Sequence, residues 1–197
     1  RRPLAGHIHI AGRDVTGASP RELAEMGVGY IPEDRQRDGL ILSFPVEENL
    51  ILNRYYQPPY SQRGVLQRDE IRRNGERLAE AFDIRTSSVT VPVQTLSGGN
   101  QQKVIAAREL SRPIKLLLAS QPTRGLDVGS IEYIHKRIVE ARDQGAAVVV
   151  VSTELDEILS LSDRIAVLYR GRIVGLMNAG EADRTQLGLL MTGGSAA

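Results

Sequence analysis

From about Gln94 onward the chain alternates strand-like and helix-like segments, and that alternation restricts its architecture more than any other property. A helix is expected from near Asn100 to Leu110, then a strand from Lys115 to Ala119. The next helix carries Ile131, Ile134, Ile138 and Val139 on one face, and the strand Ala147 to Val151 comes after it. Another short helix precedes strands near Ile165 to Tyr169 and Arg172 to Leu176. Strands separated by helices imply an α/β fold with a largely parallel sheet.

The first part has a different texture. Gly6 to Ile10 alternates polar and apolar residues like a half-exposed strand. His7 and His9 share one of its faces; two histidines could begin a metal site, but an outward strand face accounts for them without a third ligand. Ser19-Pro20-Arg21-Glu22 is a capping box with proline at the first helical position, and Gly27 ends that helix. Val28 to Ile31 reads as a buried strand leading into the loop Pro32-Glu33-Asp34-Arg35. Residues from about Glu47 to Asn53 look helical, Tyr55 to Gly64 is a Pro/Tyr/Gln-rich connection, and Ile71, Leu78 and Phe82 stand at helical spacing in Arg68 to Phe82. The cluster Tyr55, Tyr56 and Tyr60 suits a packed loop or contact surface better than a stacking platform. These segments suggest a small helical subdomain, and the Gly/Ser/Ala-rich tail from Met191 is expected to fray.

Composition excludes several classes of function. The 25 basic and 24 acidic residues nearly cancel, which argues against bulk electrostatic binding to nucleic acid or membrane. Without cysteine there is no disulfide and no thiolate metal site. Apolar runs such as Ala146 to Val151 are too short to cross a bilayer, so any membrane link is expected to come through a partner.

The chemistry concentrates in Leu96-Ser97-Gly98-Gly99-Asn100-Gln101-Gln102-Lys103. A hydroxyl and two glycines that permit close backbone approach precede a run of good helix formers. Such a helix start offers free N–H groups and a positive dipole end to an anion, in particular phosphate. The run resembles the signature motif of ABC ATPases, in the form found in importers of simple sugars and nucleosides. The likeness continues downstream, where Leu116 to Thr123 occupies the Walker B place and Arg124-Gly125-Leu126-Asp127 resembles the D-loop. Upstream, Gly29-Tyr30-Ile31-Pro32-Glu33-Asp34-Arg35 resembles the Q-loop of the second ATPase half of these importers, and Glu48-Asn49-Leu50 continues that pattern.

The departures are as informative. No G-x-x-x-x-G-K-[ST] occurs, so the phosphate-cradling loop is absent, and Arg1-Arg2-Pro3 resembles the segment just after the Walker A helix. The resemblance therefore implies a piece of a longer tandem protein: an incomplete RecA-like core, residues 1–35 and 113–197, without the Walker A strand and helix. A helical subdomain, residues 36–112, would carry the signature at 96–103. Ser120 stands at the family's magnesium-site aspartate and Gln121 at its catalytic glutamate. Thr153 stands at the switch histidine, where a helix N-cap is the favoured alternative. Serine brings no charge to a metal and glutamine cannot accept a proton, so this half is expected not to hydrolyse ATP by itself.

The elements that the resemblance leaves intact work in trans. Two halves of the family sandwich ATP head to tail, so Ser97, Gly98, Gly99 and Asn100 would meet the γ-phosphate held by the partner half. ATP and Mg2+ would be bound mainly by that partner. Asp127 would reach across the interface, or else serve as a turn or cap residue of the helix after it. Glu33 and Asp34 would face the membrane permease subunits, or else form a solvated acidic turn. A substrate-binding protein would be an indirect partner, nucleic acid none, and the location the cytoplasmic face of the membrane. The competing reading is a non-catalytic ABC-like interaction module; a soluble non-transport ABC ATPase is disfavoured by the importer-type loop Glu33-Asp34-Arg35. The Ser120-Gln121 departure leans the substrate toward nucleosides.

Overall fold

Two short strands, β1 (His9–Ile10) and β2 (Arg13–Asp14), form a hairpin at the start of the computed structural model, which describes residues 3–194. Arg1 and Arg2, on which the resemblance to the post-Walker segment rests in part, and Ser195, Ala196 and Ala197 of the tail lie outside the described residues. His7 and His9 are both exposed, and His7 Nδ1 lies 3.1 Å from Asp14 Oδ2. Helix α1 (Pro20–Glu25) begins as its sequence dictates. Ser19 Oγ accepts from the Glu22 N–H, and the Glu22 carboxylate accepts from the Ser19 N–H at 2.7 Å. Gly27, at φ +94°, then turns the chain into β3 (Val28–Ile31).

The chain divides into two compact units, one up to Val149 and one from Val150 onward. In the first, α2 (Val46–Asn49) spans a single turn rather than reaching Asn53 as its sequence suggests; residues 50–56 continue as turns. Asn49 accounts for part of this local shape. Its Oδ1 accepts from the Ile41 N–H, and its Nδ2 donates to the carbonyls of Ile41, Phe44 and Pro45, so a buried side chain fastens the preceding loop. A small hairpin, β4 (Ser61–Gln62) and β5 (Val65–Leu66), leads to α3 (Arg68–Ala81). Ile71 and Leu78 of α3 are fully buried, as their spacing requires. The three tyrosines differ: Tyr60 is buried and donates to Asn74 Oδ1, Tyr56 is half-buried and donates to Glu25 Oε1, and Tyr55 is exposed.

Helix α4 (Gly98–Leu110), β6 (Leu116–Ser120), α5 (Val128–Asp143) and β7 (Ala147–Val151) come next in the expected alternation. The sheet order is β3–β6–β7, with β3 and β6 parallel and Ile31 in register with Ala119. Glu109, near the end of α4, ties this layer together. Its carboxylate accepts from Arg108 Nε at 2.8 Å and Asn53 Nδ2 at 3.2 Å, with Arg112 Nη2 and the Tyr30 N–H both at 3.4 Å. A charge this deeply buried persists because several donors surround it.

The second unit holds α6 (Leu155–Leu161), a hairpin of β8 (Arg164–Tyr169) and β9 (Arg172–Asn178), and α7 (Arg184–Met191), with Ile165, Val167, Leu187 and Leu190 in its core. β8 and β9 pair antiparallel, apart from the β3–β6–β7 sheet. Their two-residue link explains why: Arg170 (φ +46°) and Gly171 (φ +77°) both adopt the left-handed region, as a tight hairpin turn requires. Helix α7 runs to Met191, so helical structure reaches the residue from which fraying is expected.

β7 has a sheet neighbour on one side only among the described residues, and Val149 and Val151 on it are 47% and 51% exposed. An open edge with apolar side chains is a template for pairing with another chain. The chain by itself is therefore expected to self-associate, and Val149→Lys to reduce that association in sedimentation velocity. A concentration-independent monomer before substitution would contradict this.

Candidate functional site

Ser97 sits in extended conformation (φ −61°, ψ 157°) and N-caps α4. Its exposed Oγ accepts from the Asn100 N–H at 3.4 Å and from Asn100 Nδ2 at 3.0 Å. Asn100 Oδ1 in turn accepts from the Arg85 N–H at 2.8 Å, which secures the helix start to the segment after α3. The first-turn N–H groups of a helix have no intrahelical acceptor, so Gly98 and Gly99 bring bare backbone donors to this end.

Both glycines are pressed by neighbours. A Cβ on Gly99 would overlap Ser130 Oγ and stand 3.2 Å from Asp127 Oδ2; one on Gly98 would stand 2.9 Å from Arg35 Nη2. A side chain at Gly98 must displace the Arg35 guanidinium, and one at Gly99 must turn the Ser130 hydroxyl away and press on the Ser130 and Asp127 side chains. The polar residues next in sequence are buried and specific rather than merely helix-forming. Gln101 accepts from Gln36 Nε2 and donates to the carbonyls of Leu96 and Val93. Gln102 donates to the Pro122 carbonyl at 2.7 Å. Lys103 Nζ reaches the backbone carbonyl and carboxylate of Asp83, at 2.8 and 2.5 Å, and lies 4.5 Å from the centre of the Tyr133 ring. Through these contacts α4 holds the segment after α3, the loop after β3 and the loop after β6 at once.

Ser120 is the half-buried last residue of β6. Gln121 comes next with φ +48°, a left-handed backbone uncommon for a residue with a side chain, and its carbonyl accepts from the Arg124 N–H. A hydroxyl and an amide here do not suit a hard divalent cation, which prefers carboxylate oxygen. They also supply no carboxylate base at the end of β6. Thr153 belongs to the second unit. The N-cap of α6 is Glu154, not Thr153, and the Glu154 N–H donates to Ser152 Oγ. The favoured capping position at Thr153 is thus corrected: helical geometry begins one residue later, with Glu154 as the N-cap.

Asp127 N-caps α5, accepting from the Ser130 N–H at 2.9 Å and Ser130 Oγ at 2.8 Å. Across the groove, Glu33 pairs with Arg124 at 2.7 Å, and Asp34 Oδ1 accepts from the N–H groups of Gln36 and Arg37. That cap initiates a short wide helical turn, Arg35–Gly39, which the sequence did not signal. Glu33 and Asp34 are both exposed, with Glu33, Asp34, Arg35, Arg124 and Gly125 lining a cavity of about 560 Å³. Sequence reasoning thus named the loop but missed that Arg35 lies against Gly98 of the signature, that Arg124 binds both Arg35 and Glu33, and that Ser130 stands against Gly99.

The hydrogen bonds from the Ser130 side chain and backbone hold the Asp127 carboxyl below the 3.8 of an ordinary aspartate. A depressed folded-state pKa stabilises above the unfolded value and is lost as pH falls through the folded one. The cap is therefore expected to be intact at neutral pH and to fail only in acid. A carboxyl NMR titration should place the Asp127 midpoint below that of Asp127 in the Ser130→Ala chain; equal midpoints would contradict it.

The family profile described as "ABC transporter" matches residues 1–124. The nucleoside import ATP-binding protein NupA of Lactococcus lactis subsp. cremoris is 51% identical over 97% of this chain and 38% of its own length. The guanosine import ATP-binding protein of Bacillus subtilis is 47% identical over 98% of this chain and 38% of its own, and a ribose import ATP-binding protein of Rubrobacter xylanophilus is 40% identical over 98% and 37%. The chain thus spans well under half the length of these relatives. A dimeric ATP-binding cassette solved in a post-hydrolysis state with ADP and Pi superposes with a TM-score of 0.73 at 24% identity, over 91% of this chain and 75% of that one. A nucleotide-free cassette gives 0.72 at 20% identity, over 90% and 71%. The β3–β6–β7 sheet with its covering helices is accordingly an ATP-binding cassette fold, and the chain belongs to the ABC transporter family.

Proposed function

We propose that this chain is the second, degenerate half of a tandem ATPase subunit that energises import of a nucleoside or simple sugar. In that reading it completes the competent ATP site of its partner half by donating Ser97, Gly98, Gly99 and Asn100. One contrast carries the proposal. The helix end that can meet an anion is fully built, with a Ser97 cap and two glycines kept bare by their neighbours, while β6 ends in Ser120-Gln121 where hydrolysis needs carboxylates. ATP and Mg2+ are then held mainly by the partner half, whose Walker loops would supply the charge this half lacks.

The remaining assignments belong to the same reading. Asp127, exposed at the start of α5, reaches across to the partner half, and Glu33 and Asp34 contact the permease. No helix among the described residues is long and apolar enough to cross a membrane, so attachment to the cytoplasmic face goes through those permease subunits. The nucleoside class is favoured by the named functions of the relatives at 51% and 47% identity, against 40% for the ribose importer. The chain as a motor part works by differential binding: ATP favours the closed pair of halves and hydrolysis releases it. Domain limits at residues 1–35 and 113–197 for the core, and 36–112 for the helical part, belong to this same proposal.

Two measurements test it. Calorimetry with this chain alone should detect no tight ATP binding, and an affinity on the order of micromolar would overturn the reading. In the full-length subunit assembled with its permease, Ser97→Arg should abolish ATP-dependent uptake, because a long cation fills the place of the phosphate contact. Unchanged uptake would refute the role in trans.

A further inference from the structure

Gly98 lies against a side chain that the phosphate contact itself does not use. Arg35 Nη2 stands 2.9 Å, Cζ 3.4 Å and Nε 3.6 Å from where a Cβ on Gly98 would be. The same guanidinium donates from Nη1 to the Arg124 carbonyl at 2.9 Å, and its Nη2 is 3.9 Å from where a Cβ on Gly125 would stand. Arg35 Nε is shielded from solvent and has no hydrogen-bond partner. One planar group therefore binds the loop after β6 and fills the space beside the first residue of α4 while belonging to the loop after β3. Residues on either side reinforce the grip: Glu33 pairs with the Arg124 side chain, and Asp34 and Gln36 fasten the turn, the latter through Gln101 of α4. A guanidinium presents its donors in a rigid fork, so it fixes relative positions where a flexible ammonium does not.

We propose that Arg35 is a positioning residue for the signature. It sets where the Gly98 backbone sits relative to the loops after β3 and β6, and so sets the geometry of the phosphate-facing turn without touching nucleotide. This inference rests on the trans role argued above. A signature acts on the partner's ATP only when the two halves close, whereas ATP first binds to the partner's own loops. Loss of Arg35 must then lower the rate of hydrolysis from the closed state and leave the apparent ATP affinity nearly unchanged.

The test is ATP hydrolysis by the full-length subunit assembled with its permease, as a function of ATP concentration. Arg35→Ala and Arg35→Lys should each lower kcat by about 10-fold or more, since small displacements of catalytic geometry carry costs up to on the order of 100-fold. KM for ATP should stay within about twofold, and the fall in kcat should persist per folded molecule at temperatures well below melting; a merely structural role would lower stability and leave kcat per folded molecule intact. Gly98→Ala supplies a second readout. Alone, its Cβ collides with the guanidinium; combined with Arg35→Ala it has room, so the double variant should be no slower than Arg35→Ala, a non-additive pair. Should Arg35→Ala fail to fold, Arg35→Lys, which keeps charge and stem, and its pairing with Gly98→Ala decide the matter by the same criteria. Retention of kcat within about twofold in the folded Arg35 variants, or additive losses in the pair, would overturn the inference. Ser97→Arg is assayed alongside. If hydrolysis survives it, the trans reading falls and this one with it; if only Ser97→Arg abolishes hydrolysis, the Arg35 inference falls alone.

Discussion

The absence of side chains at Gly98 and Gly99 is the constraint on which the first turn of α4 depends. With no Cβ at either position, Arg35 can lie on one side and the Ser130–Asp127 pair on the other, and three loops converge on one helix end. A single methyl group at Gly99 would overlap Ser130 Oγ, and close packing there accommodates it only at the expense of the Ser130–Asp127 contact. The glycines thus serve two ends at once. They bare the backbone donors of the helix start, and they let the neighbouring loops approach closely enough to hold it in place.

That convergence would be loose without the buried polar residues of the next helical turn. Gln101, Gln102 and Lys103 are each less than a tenth exposed, and each has a partner on a different segment: the loop after β3, the loop after β6, and the end of α3. A buried polar group left without a partner costs more than a satisfied one contributes. Any displacement of these loops therefore breaks a hydrogen bond that water cannot readily replace, which gives the arrangement a preferred geometry rather than mere compactness.

Much of this was legible in the residues. The Ser19–Glu22 capping box, the α3 stripe of Ile71 and Leu78, and the strand–helix alternation from Gly98 to Val151 appear where their periodicity and caps place them. Local signals sufficed there because the decisive interactions lie within a few residues. Where they lie far apart in sequence, reading failed. Gln101 and Gln102 looked like helix formers because nothing local marks a glutamine as buried, and Arg35 was read only as part of its loop because its partner Arg124 is 89 residues away. The bonds by which Asn49 fastens residues 41–45 have no local marker, and the left-handed backbone of Gln121 has no signature in a residue that normally avoids it.

Asp127 shows why the two readings its sequence context allowed are not alternatives. Oδ1 accepts from the Ser130 N–H and Oδ2 from Ser130 Oγ, so the carboxylate is engaged as a cap. An ionised carboxylate nevertheless has about four lone-pair positions, and two hydrogen bonds leave the others available. The residue as a whole is exposed. Capping removes rotational freedom and keeps the group ionised, which are the properties a residue needs if it is to meet a partner in a fixed direction. The cap and the proposed interface role thus call for the same local structure, and the Ser130 hydroxyl that presses on Gly99 also holds Asp127 in its orientation.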